Sequence, residues 1–151
     1  MRFNKTTEYA FRIFAYMAAS GIQVFRADEI YEQLRIPKRY LKRLLTQLSK
    51  TDLMESIQGN KGGYKLIKAP DEITLLDIVN VTESAKEKHP CFFGFQECQF
   101  GKECHLHNNW TIIVEDIEKL LATTTLTDLT DKETQQHIIP KIQLLTKNHE
   151  L

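Results

Sequence analysis

The chain has 151 residues, 42% hydrophobic and 26% charged, an ordinary globular composition with enough length for one core. Its 20 Lys/Arg balance 20 Asp/Glu, so overall charge names no partner, and no apolar run approaches the roughly 20 residues that span a bilayer. The opening Met-Arg-Phe-Asn-Lys leads into an amphipathic pattern rather than a signal-peptide core, so a cytoplasmic chain with no membrane partner is expected. The zero sum hides an asymmetry. Residues 1–80 hold thirteen Lys/Arg against nine Asp/Glu, and residues 81–151 hold seven against eleven.

Ala10, Ile13, Phe14 and Met17 fall at i, i+3, i+4 and i+7, which predicts a helix over 5–19. Asn4 is placed to cap it, and Glu8 lies near the first turn, where a carboxylate suits the positive end of the helix dipole. Ser20-Gly21 ends it. A second helix over 27–34 turns Ile30 and Leu34 inward. Proline is favoured at a first helical position, so Pro37 opens a third helix expected over 37–50, with Leu41, Leu44, Leu45 and Leu48 on the buried side. Its other side carries Lys38, Arg39, Lys42, Arg43 and Thr46, and no acid occurs between Glu32 and Asp52. Two short helices joined by a tight turn, the second basic outside, form a helix-turn-helix pattern. Such a face can be plain solvated surface, but a face of one sign is less usual than a mixed one.

The stretches 54–57 and 64–67 alternate as strands around a glycine-rich turn over 58–63, with Tyr64 and Leu66 facing in and Lys65 out. A hairpin directly after a recognition helix is a wing, and Lys61 at its tip suits a phosphate. The expected contacts to double-stranded operator DNA are Lys38, Arg39, Tyr40, Lys42, Arg43, Gln58 and Lys61.

Thr74-x-x-Asp77 resembles a capping box and starts a fourth helix over 75–81; the polar stretch 84–90 reads as a linker. Farther on, Trp110, Ile113, Val114, Ile117, Leu120 and Leu121 form an apolar stripe on a helix over 106–122. That is more apolar surface than a small winged domain covers, and pairing of this helix in a homodimer is the simplest solution. Residues 123–129 read as a turn and a short helix, and the tail from Asp131 has only a weak period broken by Pro140. The expected fold class is mainly α with a small β-hairpin wing. It divides into a winged helix-turn-helix DNA-binding domain over 1–82, a cysteine-rich cluster-binding loop over 83–105, a dimerisation helix with a short following helix over 106–130, and a tail over 131–151.

All three cysteines, Cys91, Cys98 and Cys104, fall within fourteen residues, and His105 and His107 follow. An odd, clustered count argues against a disulfide framework and for metal or redox chemistry. The spacing C-x6-C-x5-C-x2-H is too open for a zinc knuckle, whose paired ligands usually stand two to four residues apart. Thiolates are the usual ligands of iron–sulfur clusters, and three of them leave one position for another group. His107, His105 and Glu8 are the candidates. His107 has the best local placement, one helical turn from Cys104; against that, a histidine near a helix start is more often a surface group, and Glu8 can be a dipole-matched acid.

Thr7-Glu-Tyr-Ala10, Gly59-x-x-Gly-Gly-Tyr64, the three-cysteine loop, Cys104-x-x-His107-x-x-Trp110 and Thr125-Leu-x-Asp-Leu129 together carry a resemblance. The chain is similar, over nearly its whole length to about Leu129, to the Rrf2 (Rrf-two) family of bacterial winged-helix repressors. The resemblance implies a homodimer, a recognition helix in the major groove, a wing touching the minor groove, and a cluster that tunes operator affinity. It implies Cys91, Cys98, Cys104 and His107 as ligands of a 2Fe–2S cluster. It also places Glu8 where nitric-oxide-sensing members carry an aspartate that ligates a 4Fe–4S cluster from the partner subunit, so 4Fe–4S stands second. Two departures stand out: the first cysteine gap is one residue longer than in the best-known members, and Gln58 replaces a common wing arginine, which shifts weight to Lys61.

The reading is a homodimeric transcriptional regulator, a repressor, controlled by an iron–sulfur cluster that senses iron–sulfur status, redox stress or nitric oxide. Two rivals are a metal-free thiol-redox-switch regulator and an iron–sulfur carrier without specific DNA binding. No nucleophile–base pair stands out, and Gly-Asn-Lys-Gly-Gly lacks the spacing of a phosphate loop. Neither an enzyme nor a small-molecule substrate is expected.

Overall fold

The structure, a computed structural model, describes residues 3–83, 91–95, 100 and 103–130. The linker reading of 84–90, the ligand role of Cys98 and the tail over 131–151 concern residues outside that set. In order come α1 (Lys5–Ser20), α2 (Ala27–Leu34), α3 (Lys38–Leu48), β1 (Met54–Ile57), β2 (Gly63–Leu66), a 3-10 turn (Pro70–Glu72), α4 (Leu75–Thr82) and α5 (His107–Thr123). The architecture is the expected one, mainly α with a two-stranded wing.

The Asn4 side chain caps α1 by accepting from the Thr7 backbone N–H at 2.8 Å. The helix ends at Gly21, whose φ of 65° is the left-handed conformation that glycine adopts without a Cβ penalty. Ala10, Ile13, Phe14 and Met17 are buried as their spacing requires, against Ile30 and Leu34 of α2 and the leucine stripe of α3. Helix α3 is shorter than expected at both ends. Pro37 has ψ 125°, outside the helical range, and acts as the N-cap whose carbonyl accepts from Leu41 N–H at 2.9 Å. Past Leu48 the chain tightens, with Lys50 and Thr51 donating to the carbonyls three residues back, and the helix stops.

The wing pairs Met54 with Leu66 and Glu55 with Lys65, antiparallel. Strand β2 begins one residue early, at Gly63, because a third segment joins. Phe25 and Tyr64 exchange both backbone hydrogen bonds at 2.8 Å, so the connector before α2 becomes a one-residue strand with Phe25 in the core. A Cβ on Gly63 would collide with the Phe25 carbonyl, which accounts for the glycine.

Thr74 and Asp77 form the expected capping box of α4. The short helix expected within 123–129 is absent. Leu75 N–H donates to Thr124 O and Leu126 N–H to Ile73 O, each at 2.9 Å, an antiparallel bridge centred on Thr74 and Thr125. Thr125 repeats the local motif of Thr74, its N–H donating to Asp128 at 2.7 Å as that of Thr74 does to Asp77 at 2.9 Å. Extended pairing uses the backbone up to Leu126, and only two i→i+3 bonds follow, which make a turn. The bridge carries Leu126 into the core at 0% exposure, and Leu121 near the end of α5 is buried as well. Leu126→Ala is expected to lower unfolding stability by about 2–5 kcal/mol in chemical denaturation; a loss below about 0.5 kcal/mol would contradict its place in the core.

Candidate functional site

Two surfaces carry the residues singled out by the sequence. The first is the outer face of α3 with the wing. Arg39, Lys42 and Arg43 are exposed, and among the described residues none of them forms an ion pair. Lys38 is exposed but engaged, 3.7 Å from Asp28 and 4.7 Å from the centre of the Tyr31 ring. Tyr40 is half-buried against α1: its hydroxyl lies 2.6 Å from that of Thr6 and its ring meets Tyr9 edge-on at 5.4 Å. Gln58 and Lys61 are exposed on the wing turn.

Arg26 is an addition that no local pattern announces. Its guanidinium donates to Asn60 O at 2.9 Å, across 34 residues, and fixes the wing turn to the start of α2. Glu55–Lys65 at 2.9 Å and Asp52–Lys68 at 3.1 Å brace the strands. The hydrogen bond and charge of Lys68 hold the Asp52 carboxyl below its usual range, and Asp52 raises Lys68 in return. Both groups are solvent-exposed, so the pair adds little to stability.

The second surface is a pocket at the foot of α5, lined by Cys91, Cys104 and His107 with Phe92, Phe93, Leu106 and Trp110. Gly94, at φ 78°, closes a turn on Cys91, its N–H donating to Cys91 O at 3.0 Å. His107 N–H donates to Cys104 O at 3.1 Å, so one turn leads from the cysteine into α5 and puts both side chains on the same walls. Phe92 packs edge-on against Phe93 at 5.4 Å and Trp110 at 5.2 Å. This aromatic wall was missed in the sequence, where its signal is four phenylalanines between Phe92 and Phe100. His105 is exposed and does not line the pocket. Glu8 pairs with Lys5 at 2.7 Å on the first turn of α1 and does not line the pocket either. Among the described residues no three His, Cys, Asp or Glu side chains come close enough to hold an ion. Cys91, Cys104 and His107 share walls without meeting.

A polar chain runs from the end of α4 through α1 to α3. Glu83, just past α4, accepts from the Thr7 hydroxyl at 2.6 Å and from Asn4 N–H at 3.1 Å, and Thr7 is fully buried. Thr6, on the same turn of α1, holds Tyr40 of α3.

The Rrf2 family profile, described as an iron-dependent transcriptional regulator, matches residues 3–132. The chain belongs to the Rrf2 family. It is 32% identical to the transcriptional regulator IscR of Aliivibrio salmonicida over 72% of this chain and 64% of that one. It is 28% identical to NsrR of Geobacillus kaustophilus over 85% of this chain and 89% of that one. The solved structure of CymR, the global cysteine regulator of B. subtilis, superposes with a TM-score of 0.73 at 27% identity, covering 86% of this chain and 96% of that one.

As an Rrf2 protein the chain is a DNA-binding transcriptional regulator and not an enzyme. Among the described residues no helix is long and apolar enough to cross a membrane. Lys42→Ala and Arg43→Ala are each expected to weaken DNA binding and to lower the slope of log affinity against log salt by about 1, read by fluorescence anisotropy across a salt series. Unchanged slopes would remove both side chains from the DNA face.

Proposed function

We propose that this Rrf2 protein is a homodimeric cytoplasmic repressor whose affinity for double-stranded operator DNA is set by an iron–sulfur cluster at the cysteine pocket. The observation that carries the reading is the placement of Cys91, Cys104 and His107 on one aromatic-walled pocket at the start of α5. With Cys98, these residues would hold a 2Fe–2S cluster; Glu8, His105 and a 4Fe–4S cluster are the alternatives. The donor set fits: thiolates and imidazole suit iron, and the pocket holds a buried indole N–H with no acceptor, which a sulfur would supply. Helix α5 starts without a side-chain cap at Leu106, so its N-terminal dipole favours negative charge beside Cys104.

When bound, the cluster supplies a centre that responds to iron–sulfur status, oxidants or nitric oxide. The chain's own part is mechanical. Cys91, Cys104 and His107 must draw together to act as one site, and the segment that carries them departs from Glu83, which is bonded to α1. Through Thr6 and Tyr40 the same turn of α1 touches α3. Arg39, Lys42 and Arg43 then meet bases or phosphates, with Lys38 and Tyr40 setting the helix and Gln58 and Lys61 on the wing. Ile113 and Leu120 stay open to solvent on α5 at 48% and 62% exposure, which supports pairing with the α5 of a second copy. Two copies would place two recognition helices on two half-sites.

A thiol switch is the second reading. Cys91 and Cys104 are both free and share one pocket, and oxidative pairing of two cysteines needs no metal. An iron–sulfur carrier without DNA binding has no support in a family of transcriptional regulators.

Anaerobically isolated protein is expected to be coloured and to contain iron and sulfide, and Cys104→Ser to lose both. Colourless, iron-free protein that still changes operator affinity with oxidant would establish the thiol switch instead. Of His107→Ala and Glu8→Ala, the first is expected to change the visible spectrum; a change only in the second transfers the fourth position to Glu8. Ile113→Glu with Leu120→Glu is expected to give a monomer in sedimentation, and a persistent dimer would exclude pairing through α5.

A further inference from the structure

Trp110 is the chain's sole tryptophan, and its indole Nε1 is buried without a hydrogen-bond partner among the described residues. Leaving a buried donor without a partner is costly, and a buried tryptophan N–H usually finds one. The N–H only donates, so the missing partner must be an acceptor. Three backbone carbonyls at the pocket are already engaged: Cys91 O by Gly94 N–H, Cys104 O by His107 N–H and Leu106 O by Trp110 N–H itself. Phe92, Phe93 and Leu106 offer no side-chain acceptor. Among the described residues the side-chain acceptors on the pocket walls are the sulfurs of Cys91 and Cys104 and a ring nitrogen of His107. If His107 is a ligand, one of its nitrogens is taken, and sulfur is the natural acceptor.

We infer that the Trp110 indole N–H donates a hydrogen bond to sulfur in the cysteine pocket, making Trp110 a positioning residue that tunes the redox potential of the site. The inference rests on the cluster reading above. Trp110 follows His107 by three residues, so donor and ligand sit on adjacent turns of α5 and move together. Phe92, edge-on at 5.2 Å and 89°, restrains the ring and so the direction of the donor. An N–H bond to a cluster sulfur or thiolate favours the more negative, reduced state, so it raises the potential. The competing explanation within the pocket is a weak N–H contact to the face of the Phe92 ring.

The experiment uses the full chain reconstituted anaerobically with iron and sulfide. A single tryptophan makes its ultraviolet resonance Raman N–H band unambiguous in the wild type, where no folding defect can intrude. That band is expected to move to its hydrogen-bonded position on cluster uptake. Trp110→Phe keeps an aromatic ring but loses the donor. It is expected to retain iron, sulfide and thermal unfolding while its midpoint potential falls, the reduced-to-oxidised ratio at the wild-type midpoint dropping roughly tenfold, about 59 mV for a one-electron couple. An unmoved Raman band with equal potentials at equal cluster content overturns the Trp110 assignment alone. A hydrogen-bonded band that disappears in Phe92→Leu, with no change of potential in Trp110→Phe, also overturns it, in favour of the ring-face contact. Protein that takes up no iron and sulfide overturns the cluster reading and this inference together, and the iron and sulfide assay separates that outcome from the others.

Discussion

Helix α4 holds the chain at both ends of its excursion through the cysteines. At its N-terminal end, Ile73 and Leu75 pair with Thr124 and Leu126. Beyond its C-terminal end, Glu83 is fastened to Asn4 and Thr7 of α1. The intervening residues leave from one end of an eight-residue helix and return at the other. Loop closure for the cysteine segment is therefore set by contacts that belong to the winged domain, and α5 joins that domain at its C-terminal end, where Leu121 is buried and the segment that follows carries Leu126 into the core.

The same arrangement puts the loop's point of departure within two contacts of α3. Glu83 bonds the first turn of α1, and Thr6 on that turn bonds Tyr40 of α3. Thr7 is the one buried polar residue of the described core, and its hydroxyl is shared among Asn4, Thr82 and Glu83. Satisfied networks of this kind are rigid, because an unmet donor or acceptor in a low-dielectric interior is costly. Tyr40, placed by sequence on the DNA face, anchors α3 from behind and leaves Arg39, Lys42 and Arg43 as the open cations.

The cysteine pocket is built differently. Its walls are aromatic, its floor is an uncapped helix start, and its thiols and imidazole share space without closing on a point. Elsewhere on the described chain polar groups find partners, some within one turn, as Thr74 with Asp77 and Thr125 with Asp128, and some far along the chain, as Arg26 with Asn60. The pocket is the place where a buried donor, the Trp110 indole, goes without one.

Periodicity by itself determined most of the fold. The i, i+3, i+4, i+7 stripes of α1 and α3, the strand alternation of the wing and the Thr-x-x-Asp start of α4 each depend on residues a few positions apart, so a linear pattern carries them. Cysteine spacing determined that Cys104 and His107 would share a turn, for the same reason. Only the tertiary structure decided that Phe25 becomes a strand beside Tyr64, that Arg26 pins the wing, and that Thr125 repeats the cap of Thr74 without starting a helix. It also decided that Leu126 enters the core, that Tyr40 faces α1, and that Phe92 and Trp110 wall the cysteines. Each of these turns on groups distant in sequence competing for the same hydrogen bonds or the same buried volume, and no local window contains both competitors.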